Sequence, residues 1–136
     1  VVDPREGRIL AGARDPENPG SFLDSAARIK EGLFPPRREE GLQNTTLGVV
    51  ATNARLTKRQ AIKAAQMAQS GFARTLRPAH STVDGDLVFA LSAGEGNAEV
   101  NAIGLAAEEA VADAVLRAVR QADGLGLLPA YRDLNP

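Results

Sequence analysis

Apolar and polar positions divide this chain into two zones. From about Asp3 to Gln43 no regular spacing of apolar residues holds. Pro4, Pro16, Pro19, Pro35 and Pro36, several glycines and the charge cluster Arg37-Arg38-Glu39-Glu40 interrupt it. Such a stretch reads as an extended, partly mobile connection. Inside it a short helix is expected over about Phe22 to Lys30, with Ser21 as N-cap and Asp24 at the third position. An irregular run longer than about 15 residues in a compact domain points to function or disorder. The alternative is an ordinary surface loop.

Beyond Gln43 the pattern becomes regular. Leu47 to Thr52 is apolar and β-branched, which predicts a short buried strand. Thr57-Lys58-Arg59-Gln60 has the spacing of a capping box and opens a helix. Ile62, Ala65, Ala68 or Gln69, and Phe72 mark one face of that helix, and Pro78 lies just past its end. Leu87 to Leu91 predicts a second strand. A long helix is expected from Asn97 or Ala98, with Val100, Ile103, Ala107, Val111, Ala114 and Ala118 on one face and Gly124 and Gly126 ending it. The order strand–helix–strand–helix, with no internal repeat, is an α/β layered half-domain.

Composition narrows the function classes. The 136 residues suffice for one modest core, and 43% hydrophobic with 24% charged residues is ordinary for a globular domain. A formal net charge of −1 gives no general attraction to nucleic acid or anionic membrane. No apolar run approaches the roughly 20 residues needed to cross a bilayer. The absence of cysteine excludes disulfides and thiolate metal sites within these residues. The chain begins Val1-Val2-Asp3-Pro4, without Met, and reads like the middle of a longer protein.

Two spots carry candidate chemistry. The first is Asn44-Thr45-Thr46, where the irregular zone meets the first strand. A Thr at a chain's N-terminus combines a nucleophilic hydroxyl with an α-amine whose ordinary pKa is about 7.7–8.0, close to that of a useful general base. Before cleavage that nitrogen is an amide, so cleavage between Asn44 and Thr45 would switch the site on. The alternatives are a polar residue at a strand start and a glycosylation sequon. The second spot is Asp84-Gly85-Asp86, just before the second strand. It reads either as a tight turn or as two carboxylates on one face at the mouth of a sheet. A calcium loop does not fit, because Phe89 stands where that loop requires Gly.

Taken together these blocks resemble the DmpA family of self-cleaving N-terminal-nucleophile hydrolases. That family includes L-aminopeptidase/D-esterases, β-aminopeptidases and the nylon-oligomer endohydrolase. The resemblance rests on Asn44 through Ala54, Ala73-Arg74 with Arg77-Pro78, Asp84 through Leu91, and the tail Leu128 through Leu134. It implies an αββα layered sandwich, of which this chain supplies part. Residues 1–44 would end the large subunit and residues 45–136 would form the small one. Thr45 would be the nucleophile, Asn44 the residue before the cut, and Asp84 and Asp86 the acidic site residues. No cofactor or metal is implied. The implied partners are the large subunit of the same precursor and further copies, a tetramer being expected, without nucleic acid or membrane, and the expected location is cytoplasmic. The family's oxyanion-hole Asn and its Lys or Tyr beside the nucleophile would fall before Val1.

Two other readings compete. Ornithine acetyltransferase shares a self-generated N-terminal Thr and would transfer an acyl group to an amino acid instead of water. A non-catalytic nucleotide-binding module would use Gly94-Glu95-Gly96-Asn97 as a strand-to-helix turn around a phosphate. That turn lacks the Lys-Ser/Thr of a P-loop and the third Gly of a dinucleotide fingerprint. His80 stands alone, without a partner at metal-ligand spacing.

Overall fold

The computed structural model describes residues 1–18, 20–33, 45–82 and 84–134. Its elements run in the order α1 (Ser25–Lys30), β1 (Leu47–Ala54), α2 (Lys58–Thr75), β2 (Leu87–Gly96), α3 (Val100–Gln121) and α4 (Tyr131–Leu134). Strands β1 and β2 pair in parallel, with Leu47 opposite Leu87 and Thr52 opposite Ser92. A parallel pair needs a crossover, and α2 provides it. Among the described residues the chain is therefore α/β.

Helix α2 starts where the capping box predicts. The Thr57 side chain accepts from Gln60 N–H, and the Gln60 side chain returns to Thr57 N–H at 2.9 Å. The buried face is nevertheless rotated from the expected one. Ala64, Ala68, Gly71, Phe72 and Thr75 are buried, whereas Ile62 is 49% exposed. Gly71 explains the rotation. A Cβ there would run into the Glu108 backbone and the Val111 side chain, so α3 approaches α2 as closely as a missing side chain allows. Small residues, rather than the largest apolar ones, set this helix contact. Ala68, Phe72, Val88, Ala107 and Val111 form the core, flanked by Val50, Leu76 and Val115.

The sheet is covered on one side only. Val88 is buried and Val50 is partly buried against that core. Leu47, Val49, Leu87, Phe89 and Leu91 alternate onto the other face and are between 44% and 66% exposed. Along β1, next to α3, runs an apolar groove of about 760 Å³, bordered by Ala102, Ala106, Ala110, Ala114 and Ala118. Ala114 and Ala118, expected on one face with Ala107 and Val111, are exposed on this groove while Ala107 and Val111 are buried.

Three further expectations need correction. Helix α1 begins at Ser25, capped by Asp24, whose carboxylate accepts from Ala27 N–H at 3.1 Å. Residues 21–23 cannot join it because they pair elsewhere: Phe22 bridges Arg14, and Leu23 N–H bonds to Ala13 C=O. Second, residues 1–18 and 20–33 are not a loose connection. Leu10 is buried, Val2 N–H donates to Thr75 C=O at 2.7 Å, and buried Asp3 meets the Arg120 guanidinium at 2.6 Å. The charge cluster Arg37-Arg38-Glu39-Glu40 and the Pro35-Pro36 pair lie outside the described residues. Third, Gly94-Glu95-Gly96 is no phosphate turn, because β2 continues through Gly96. A Cβ on Gly94 would collide with the Asn53 backbone, so the glycines serve the irregular strand pairing there. Helix α3 begins later, at Val100, with the Glu99 carboxylate accepting from Asn101 and Ala102 N–H.

Candidate active site

The two spots of candidate chemistry meet at one end of the sheet. Thr45-Thr46 leads into β1 and Asp84-Gly85-Asp86 leads into β2, and parallel pairing in register sets these entries side by side. Leu87 N–H donates to Thr46 C=O at 3.0 Å, the first rung of the ladder. The next rung outward is made by a side chain: Thr46 N–H donates to Asp86 Oδ1 at 2.7 Å. A carboxylate accepting from a backbone N–H is a short, strong, charge-assisted contact. It fixes the main chain immediately after Thr45.

Gly85 lies against Thr45 itself. A Cβ built on Gly85 would stand 2.8 Å from Thr45 Oγ1 and 3.6 Å from its Cγ2. Gly85 is not among the positive-φ glycines. Its lack of a side chain therefore provides room for the Thr45 hydroxyl rather than an unusual backbone conformation. Thr45 is exposed and Asp86 is partly buried.

Asp84 takes a different place. Its Oδ2 accepts from Ser81 N–H at 2.8 Å, and its own N–H reaches Ser81 C=O at 3.3 Å. It closes the turn leading to Gly85, while Asp86 reaches across to the other strand. His80 is exposed at the start of this turn, at φ 55°. Asn44 lies outside the described residues.

A residue that the spacing did not single out for chemistry supports this corner from below. Gln69 of α2 donates from Nε2 to the Asp86 C=O at 3.4 Å. One helical turn on, Phe72 sits beneath Gly48, where an added Cβ would stand 3.1 Å from Phe72 Cζ. A single stripe of α2 therefore underlies both strand entries. The expected ambiguity of Ala68 or Gln69 on the buried face is resolved with Ala68 in the core and Gln69 turned to the strand end.

Comparison with known proteins identifies the family. The model for peptidase family S58 matches residues 10–127, which include Thr45 and Asp84-Gly85-Asp86. An uncharacterized aminopeptidase of Mycobacterium leprae is 41% identical over 68% of this chain and 30% of its own length. The 6-aminohexanoate-oligomer endohydrolase of Kocuria sp. is 32% identical over 88% of this chain and 38% of its own length. The enzyme of the same name from Agromyces sp. is 34% identical over 87% and 37%, respectively. The chain thus spans about a third of the length of these relatives. A family match over residues 10–127, most of the chain, places it in peptidase family S58.

Proposed function

We propose that this chain is the nucleophile-bearing part of a self-processing amide hydrolase, with Thr45 as the nucleophile. In maturation, Thr45 Oγ adds to the Asn44 carbonyl carbon and the Asn44–Thr45 C–N bond breaks. The acyl group passes to oxygen as an ester, and water hydrolyses the ester. The α-amine of Thr45 is then free. In turnover that amine takes the hydroxyl proton, Oγ attacks a substrate amide, and the amine component leaves with the proton. Water then releases the acyl group.

The observation that carries this reading is the fit between Thr45 and the Asp84–Asp86 turn. Gly85 leaves room at Oγ1, and Asp86 holds the next peptide N–H. A nucleophile must be held close to its attack geometry, and pre-paid positioning is a large part of the rate. Asp86 and Asp84 are the proposed acidic site residues, Asp86 on the main chain beside the nucleophile and Asp84 as the support of the turn. The relatives named aminopeptidase and oligomer endohydrolase point to small peptides or amide oligomers as the substrate class.

The remaining layers belong to the same proposal. The uncovered apolar sheet face and the alanine-bordered groove suit a second sheet and further strands supplied by the large subunit of one precursor, giving an αββα sandwich. Mature protomers are proposed to assemble as a tetramer. No helix among the described residues is long and apolar enough to cross a membrane. The test is Thr45→Ala in the full-length precursor. It should stay a single chain and hydrolyse no amide substrate; conversion to two pieces at the wild-type rate contradicts the proposal.

A further inference from the structure

Gln69 occupies an unusual position for a polar side chain. It sits on a stripe of α2 that otherwise meets the sheet through alanine and Phe72. Its Oε1 is fully buried and has no hydrogen-bond partner among the described residues. Burying an amide oxygen without a donor costs stability, and an apolar residue there would avoid the cost. The amide cannot resolve this by flipping. Its Nε2 faces the Asp86 carbonyl, and exchanging the ends would set two acceptors against each other.

We infer that Gln69 is a positioning residue of the Thr45 site. It does so by anchoring the Asp86 main chain from beneath, so that Gly85 rests against Thr45 Oγ1 and Asp86 Oδ1 meets Thr46 N–H. The inference rests on the reading of Thr45 as the nucleophile. The chain of contact is short. Gln69 holds the Asp86 carbonyl, the Asp86 carboxylate holds the peptide after Thr45, and Gly85 beside Asp86 leaves, by lacking a Cβ, the room that the hydroxyl occupies. Phe72 places β1 from the same stripe, so this stretch of α2 sets both strand entries. A helix-borne amide suits that task, since sites supported from rigid elements hold their geometry better than sites held by loops alone.

The experiment uses the full-length precursor and its own cleavage as readout, so no substrate has to be chosen. Gln69→Met keeps the length and removes the donor. Gln69→Glu keeps a donor only while the carboxyl is protonated. Rates of cleavage at Asn44–Thr45 are measured from about pH 5 to 8, beside Tm, for both variants and wild type. Gln69→Met should cleave about 10- to 100-fold slower at every pH, the scale of a small misplacement, with Tm unchanged or raised. Burial at this position favours the neutral carboxyl, so Gln69→Glu should come closest to wild type toward pH 5 and fall away as its carboxyl ionises. A folded Gln69→Met that cleaves within twofold of wild type overturns the inference. So does failure of both variants to fold, which would make Gln69 a structural residue only. Cleavage of Thr45→Ala at the same bond would instead sink the reading of Thr45, and the role of Gln69 with it.

Discussion

Gly85 and Thr45 touch so closely that one added methyl group on Gly85 would stand 2.8 Å from the Thr45 hydroxyl oxygen. The backbone at Gly85 does not adopt a positive φ, so alanine can follow it. The cost of Gly85→Ala should therefore fall on Thr45 rather than on the fold. Self-cleavage of the precursor should slow by about 10²-fold, with Tm changed by only a few degrees. A gel time course beside a melting curve checks this. Wild-type cleavage in Gly85→Ala would mean that the hydroxyl has more freedom than the contact allows.

Asp86 and Asp84 should separate by role. Asp86 Oδ1 accepts from Thr46 N–H, while Asp84 Oδ2 accepts from Ser81 N–H inside its own turn. Asp86→Ala should slow maturation and turnover by about 10² or more, the scale of a nucleophile displaced from its attack geometry. Asp84→Asn keeps an acceptor for Ser81 and should be the milder change, whereas Asp84→Ala loosens the turn and should approach the Asp86 effect. Single-turnover rates for the three variants decide the order. Equal and near-normal rates would reduce Asp-Gly-Asp to a plain turn.

The parts of this site differ in how far the sequence revealed them. Capping residues act through local hydrogen bonds, so Thr57 and Gln60 were legible without tertiary context. The same holds for the existence of the two strands and for the place of Thr45 and Asp84-Gly85-Asp86 at their entries, whereas the expected burial of the strands holds on one face only. Gly85 beside Thr45 depends on parallel register, which spacing along the chain does not contain. Gln69 was readable as a helix-face position and not as a support, because its partner is a main-chain carbonyl. Ile62 misled the periodic reading because smallness at Gly71 governs the α2–α3 contact. The early segment was misread for a similar reason: its anchors are single long-range contacts, Asp3 to Arg120 and Val2 to Thr75, set in a proline- and glycine-rich background.

That anchor has its own pH signature. The Arg5 N–H, donating at 2.9 Å, and then the Arg120 guanidinium hold the Asp3 carboxyl below the ordinary carboxylate range. A carboxylate whose folded-state pKa is lowered stabilises the fold above the unfolded value of about 3.9, and that contribution is lost as pH falls through the folded value. Asp3→Asn should therefore lower Tm at neutral pH and flatten its decline below about pH 4, so that the two curves converge in acid. Melting curves of the full-length protein across that range check this, and a constant gap at all pH values would contradict it.

The most direct test of the account is the intact mass and N-terminal sequence of the protein purified from its full-length gene. Two associated polypeptides are predicted, the smaller beginning Thr45-Thr46-Leu47-Gly48, and the same preparation should hydrolyse amide substrates. A folded, amide-hydrolysing protein that remains one chain, with no new terminus at Thr45, would contradict it.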